Sequence, residues 1–138
     1  MDIGVIGVGT MGRNHVRVYS ELRGVNSLGI YDVNTQAAKD LGEKHGATVY
    51  GSIGELLDNC DAVSVVVPTQ FHSSVVRQVF SKKKSVLIEK PICATSDKAK
   101  QLMKKAPEGI TIGVGHIERF NPIVSEIKRS LISPSIWS

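Results

Sequence analysis

Residues 3–12 read Ile3-Gly4-Val5-Ile6-Gly7-Val8-Gly9-Thr10-Met11-Gly12, an apolar run that opens into three glycines spaced G-x-G-x-x-G. A strand entering a tight turn and then a helix fits this pattern. Gly7 permits the reversal, Gly9 lets the backbone approach a pyrophosphate, and Gly12 lets helix and strand pack closely. The helix that follows directs unpaired N–H groups at the phosphates. A glycine triplet by itself says little in a chain with 13 glycines. Its position at the first strand, and an Asp32 that closes a second apolar run twenty positions after Gly12, make it a dinucleotide-binding fingerprint. A carboxylate at Asp32 accepts both hydroxyls of an adenosine ribose and repels a 2′-phosphate. Neither Val33 nor Asn34 is an arginine, so NAD is expected in preference to NADP.

Outward from this motif, apolar runs of strand length recur at 28–31, 48–50, 61–67, 86–88 and 110–114. Helix start signals lie between them. Asn34 caps a helix over 35–45, Ser52 with Glu55 forms a capping box ahead of Leu56 and Leu57, and Ser96 caps a helix over 97–105. Asn121 followed by Pro122 starts a last helix over 122–131. Strands such as Val63-Ser64-Val65-Val66-Val67 are nearly continuous in apolar residues, as strands covered on both faces are. The expected fold is α/β, a doubly wound parallel sheet of Rossmann type in one domain, with strand order 3-2-1-4-5-6. Its crevice opens between the glycine loop and the loop beginning at Pro68.

The 138 residues and 41% hydrophobic content suit one ordinary core. Lys plus Arg exceed Asp plus Glu by 17 − 13 = 4, an excess that favours anionic ligands such as nucleotides and is too small to imply nucleic acid. Lys82-Lys83-Lys84 is the densest positive cluster and falls where a helix should end, complementing its dipole. Cys60 and Cys93 have no metal-ligand spacing, no metal is expected, and two unpaired thiols point to a reducing cytoplasm. No apolar run approaches the ~20 residues that span a bilayer, and a strand starting at Met1 leaves no place for a signal peptide.

Glu89-Lys90-Pro91 ends the fifth strand, at the sheet edge where the nicotinamide half of a cofactor lies. An ammonium there could bind substrate and ribose oxygens and assist deprotonation of an alcohol as hydride leaves; spacing alone reads more readily as an ordinary surface lysine. His15, on the first helix, reads as a packing or hydrogen-bonding residue. His72 sits beside the expected crevice within reach of cofactor or substrate, and His116 follows the sixth strand.

With the Pro68-Thr69-Gln70-Phe71-His72 turn and Gly115-His116-Ile117-Glu118-Arg119-Phe120-Asn121-Pro122 added to these, the chain resembles the Gfo/Idh/MocA family from Met1 to about Pro122. These are NAD(P)-dependent oxidoreductases of sugars and cyclitols. The resemblance implies that Lys90 is catalytic, contacting substrate and nicotinamide ribose, and that Arg119 lies near the same end of the cofactor. It extends the cofactor site from Gly7, Gly9, Gly12 and Asp32 to Thr10 and Met11 on the glycine loop, Pro68, Thr69 and His72 after the fourth strand, and Glu89. The wording from Gly115 to Pro122 resembles the branch acting on nucleotide-linked amino sugars.

The family's substrate domain follows the position of Pro122, and here sixteen residues follow it. The expected organisation is a dinucleotide-binding domain over 1–121 and, over 122–138, a helix and tail left from the crossover to an absent substrate domain. Two functions fit: the cofactor half of an oxidoreductase with little turnover alone, or a stand-alone dinucleotide sensor. Surface around Phe120, Ile123, Ile132, Ile136 and Trp137 is expected to be exposed and to join copies of the chain.

Overall fold

A computed structural model describes residues 1–132, with side chains through Ser130. The chain runs β1 (Asp2–Ile6), α1 (Thr10–Glu21), β2 (Ser27–Tyr31), α2 (Thr35–His45), β3 (Thr48–Val49), α3 (Ile53–Asp58), β4 (Ala62–Val65), α4 (Thr69–Ser81), β5 (Ser85–Ile88), α5 (Ser96–Met103), β6 (Ile112–Val114), a 3-10 turn (Ile117–Phe120) and α6 (Pro122–Ile132). The six strands form one sheet in the order β3-β2-β1-β4-β5-β6, all parallel, with Val5 opposite both Ile30 and Ser64. This is the doubly wound fold the sequence predicts, with its topological switch between β1 and β4.

Alternation along the strands divides the core between two faces. Val5, Leu28 and Ile30 pack with Val16 of α1 and Ala38 and Leu41 of α2. Ile6, Val63, Val65 and Ile88 pack with Leu56 and Leu57 of α3 and Val76, Val79 and Phe80 of α4. Ser64 is the polar exception, fully buried on the α1 face of a central strand.

Three of the four expected caps are in place, Asn121 among them, its Oδ1 accepting from Ile123 N–H at 3.1 Å. The Asn34 side chain accepts from the Ala37 N–H, and the Ser52 hydroxyl accepts from Glu55 N–H while the Glu55 carboxylate reaches back to Gly51. The cap expected at Ser96 moves by one residue. Thr95, in extended conformation, caps α5 by accepting from Lys98 N–H, and Ser96 is already helical. Adjacent hydroxyls compete for a cap, and the residue with non-helical dihedrals takes it. The expected strand over 61–67 ends its ladder at Val65, because Val66 and Val67 turn out into the cleft. The strand expected from 110 begins at Ile112.

The lysine cluster follows α4, with Lys82 as its C-cap and its ammonium 2.6 Å from Asp58. Cys60 and Cys93 are free and buried, and burial pushes the Cys60 thiol up to about 11. Among the described residues no helix is long and apolar enough to cross a membrane. Phe120 is 88% exposed, and Ile117, Ile123 and Ile127 are also exposed. Ile136 and Trp137, and the side chain of Ile132, lie outside what the structure describes.

Candidate functional site

In a parallel sheet every helix starts at the same edge, and the gap between α1 and α4 falls where the chain reverses across β1 and β4. A cleft of about 790 Å³ opens there, within the range of small-molecule sites.

Each glycine of the fingerprint has a distinct steric reason. Gly7 has φ +98°, and a Cβ on it would stand 2.6 Å from the Val66 carbonyl oxygen. A Cβ on Gly12 would stand 1.9 Å from the Gly7 carbonyl oxygen, so α1 can lie against the turn only without a side chain. Gly9 faces open space with nothing within 4 Å, and that space belongs to the cleft. α1 begins at Gly9 with no side chain capping it and no acidic residue in its first turn. Its first N–H groups therefore face the cleft unpaired, the arrangement that receives a pyrophosphate.

Asp32 sits at the cleft wall after β2. Its Oδ2 accepts from Val8 N–H at 2.6 Å and its Oδ1 from Asn34 N–H at 2.8 Å. The carboxylate thus ties the glycine loop to the end of β2 and keeps lone pairs for a ligand. Val33 beside it is 88% exposed. On the opposite wall Phe71, Val75 and Gln78 of α4 line the cleft. Their i, i+4, i+7 spacing marks one helix face, a signal present in the sequence that the motif reading passed over.

Glu89 and Lys90 line the far end of the cleft. The Lys90–Pro91 peptide is cis, Lys90 is exposed, and among the described residues its ammonium has no hydrogen bond or ion pair. His72 also lines the cleft but is buried, with Nε2 2.8 Å from the Val67 carbonyl and Nδ1 3.0 and 3.2 Å from the carbonyls of Pro91 and Ile92. Its ring nitrogens face backbone carbonyls on the loop after Lys90 and on the segment after β4, so it offers a ligand only the ring.

The structure therefore brings Gly7, Gly9, Thr10, Met11, Asp32, Pro68, Thr69, His72, Glu89 and Lys90 to one cleft, with Gly12 directly behind. It does not bring Arg119 there. That residue is exposed on the 3-10 turn beyond β6, the outermost strand, two strands away from β4. His116, exposed at the start of the same turn, is not a lining residue either.

A glycine turn at the first strand, an uncapped helix start, an acidic residue after the second strand and a cleft at the switch point define a dinucleotide-binding domain. Residues 1–116 match the Gfo/Idh/MocA family, described as "Oxidoreductase family, NAD-binding Rossmann fold". The chain belongs to that family, as its NAD-binding domain, and its cofactor is NAD. Among curated relatives, UDP-N-acetylglucosamine 3-dehydrogenase of Acidithiobacillus ferrooxidans is 31% identical over 131 residues, 94% of this chain and 41% of that protein. Inositol 2-dehydrogenase 2 of Saccharopolyspora erythraea is 32% identical over 142 residues, 99% of this chain and 42% of that protein. Among solved structures, myo-inositol dehydrogenase from Lactobacillus casei in complex with NAD(H) and myo-inositol superposes with a TM-score of 0.85 at 29% identity, covering 95% of this chain and 41% of the other. The chain thus spans about two fifths of the length of these relatives.

Proposed function

We propose that the chain is the cofactor-holding part of a dehydrogenase that moves hydride between a secondary alcohol of a sugar or cyclitol and the nicotinamide of NAD. The observation that carries this reading is the placement of Lys90, an ammonium with no protein partner among the described residues, at the end of the cleft away from Asp32. The cofactor, when bound, supplies the hydride acceptor.

The chain's own residues have separable tasks. The first turn of α1 neutralises pyrophosphate charge, and Asp32 takes the adenosine ribose hydroxyls. Thr10, Met11, Pro68, Thr69 and His72 shape the walls, and Lys90 holds the substrate oxygen and eases loss of its proton. Residues 1–121 carry these tasks, and α6 begins the passage toward the substrate-binding portion that the relatives' additional length provides. The exposed Ile117, Phe120, Ile123 and Ile127 serve as a contact surface for that portion or for a second copy. The curated relative acting on UDP-N-acetylglucosamine supports a nucleotide-linked sugar as substrate, and the inositol dehydrogenases support a cyclitol; both present ring secondary alcohols. Free thiols at Cys60 and Cys93 support a cytoplasmic location.

Calorimetric titration tests the reading. NADH is expected to bind about tenfold more tightly than NADPH, because Asp32 faces the 2′ position with no arginine nearby. Exchanging Asp32 for Ser together with Val33→Arg should reverse the order. Equal or tighter NADPH binding by the unmodified chain would overturn the preference, and steady oxidation of myo-inositol or UDP-N-acetylglucosamine by the 138 residues alone would overturn their role as the cofactor part only.

A further inference from the structure

Behind Lys90, on the face of the sheet covered by α1, four side chains form one partly buried polar chain. His15 Nε2 lies 2.9 Å from Glu89 Oε1, and His15 Nδ1 lies 3.2 Å from Ser64 Oγ. Ser64 Oγ is 2.8 Å from the Tyr19 hydroxyl. The other Glu89 oxygen, Oε2, accepts from the Lys90 backbone N–H at 3.1 Å. A Cβ on Gly115 would come within 2.9 Å of Glu89 Oε1, so the end of β6 leaves room for the carboxylate.

The donors can be assigned in order. A carboxylate only accepts, so His15 donates through Nε2; a neutral ring then accepts at Nδ1 from the Ser64 hydroxyl, which accepts in turn from Tyr19. Every hydrogen bond points toward Glu89. Side-chain exposure of His15 and Glu89 is 14% and 9%, so water competes little for these contacts, and buried charge-assisted bonds are strong and geometrically demanding.

We propose that His15 is a positioning residue for Lys90, acting through Glu89: the relay fixes the carboxylate, the carboxylate fixes the Lys90 N–H, and the backbone so held aims the lysine into the nicotinamide end of the cleft. His72 secures the opposite side of the same loop through the Pro91 and Ile92 carbonyls. Lys90 is thus held between two histidine contacts, one on each side in sequence. The inference rests on the proposed dehydrogenase reading, and its test separates the two.

ADP contains the adenosine and pyrophosphate but neither the nicotinamide nor its ribose, so the ratio of NADH to ADP affinity reports on the far end of the cleft alone. Glutamine places its amide nitrogen where histidine places the donating Nε2, and asparagine can place its amide oxygen where histidine places the accepting Nδ1. His15→Gln keeps the donor to Glu89 and should retain the wild-type ratio. His15→Asn keeps only the Ser64 side and should lower the ratio about five- to tenfold, the scale of one charge-assisted hydrogen bond, with ADP affinity unchanged. A ratio that falls equally in both variants, or in neither, would overturn the positioning role while leaving the cofactor site intact. Wild-type chain that binds neither ligand would overturn the dehydrogenase reading itself, and this inference with it. Should His15→Asn not fold, hydrogen exchange at the Lys90 amide of the unmodified chain decides: protection is expected, and exchange as fast as a free surface amide would overturn the inference.

Discussion

α1 and α4 begin beside the cleft, and neither has a side-chain cap. α2, α3 and α5 begin at the same edge of the same sheet, α3 with Ile53 on the cleft wall, and each is capped, by Asn34, Ser52 and Thr95. All five leave their first N–H groups without helical partners, and unsatisfied backbone donors are costly. Where the chain supplies its own acceptor, the helix end is structural. Where it supplies none and a cleft stands in front, the end is reserved for an acceptor that arrives from outside. The difference separates ligand-binding helix ends from others that look similar in sequence.

Several substitutions would break or sharpen this contrast. The largest effect is expected at Gly9, whose backbone (φ −63°, ψ −167°) suits any residue and whose Cβ position is open. Gly9→Val should leave the melting temperature nearly unchanged and weaken NADH binding about a hundredfold, because it fills the space of the pyrophosphate. Gly12→Ala should differ in kind. Its clash with the Gly7 carbonyl should lower stability by about 3 kcal/mol in a urea denaturation, with binding lost as a consequence. Equal loss of stability in both would show that the open space before α1 is part of the fold's own packing.

A smaller effect comes from giving α1 the cap it lacks. Gly9→Asp should stabilise the free protein by about 0.5 kcal/mol through the first-turn N–H groups and the helix dipole. The same change should weaken NADH binding about tenfold, since the carboxylate takes the donors and repels the pyrophosphate. Tighter binding would contradict the contrast. The smallest effect is expected at the capped ends: Asn34→Ala or Thr95→Ala should each cost about 1 kcal/mol in thermal or urea unfolding with no change in NADH affinity.

Much of the fold was legible because its signals are local. Asn34 ahead of α2 and Gly46 after it, the latter at φ +66°, bracket that helix by residue type alone, and the glycine spacing of β1–α1 sets the switch point. The choice between Thr95 and Ser96 was not legible, since both hydroxyls suit a cap and backbone dihedrals decide. The His15–Glu89 pairing was hidden for a different reason. Its members are 74 residues apart, and Ser64 is 49 from His15; only the reach of the His15 side chain from α1, which packs over β1 and β2, makes them neighbours. Ser64 did carry a sign, a lone hydroxyl inside an apolar central strand, where a buried polar group needs a partner. Arg119 illustrates the reverse case, a residue assigned by resemblance that the geometry leaves outside the cleft.

The bond from Asp32 to the Val8 N–H bears on how such a scaffold can change its cofactor over evolutionary time. The residue that reads the ribose is also a strut of the loop that receives the pyrophosphate, so a single exchange of its charge alters preference and frame together. A route through Asn, whose single amide oxygen can still accept from Val8, keeps the bond to the glycine loop while the negative charge and the bond from Asn34 are lost. An arginine at position 33 can then be gained on a loop that has not moved.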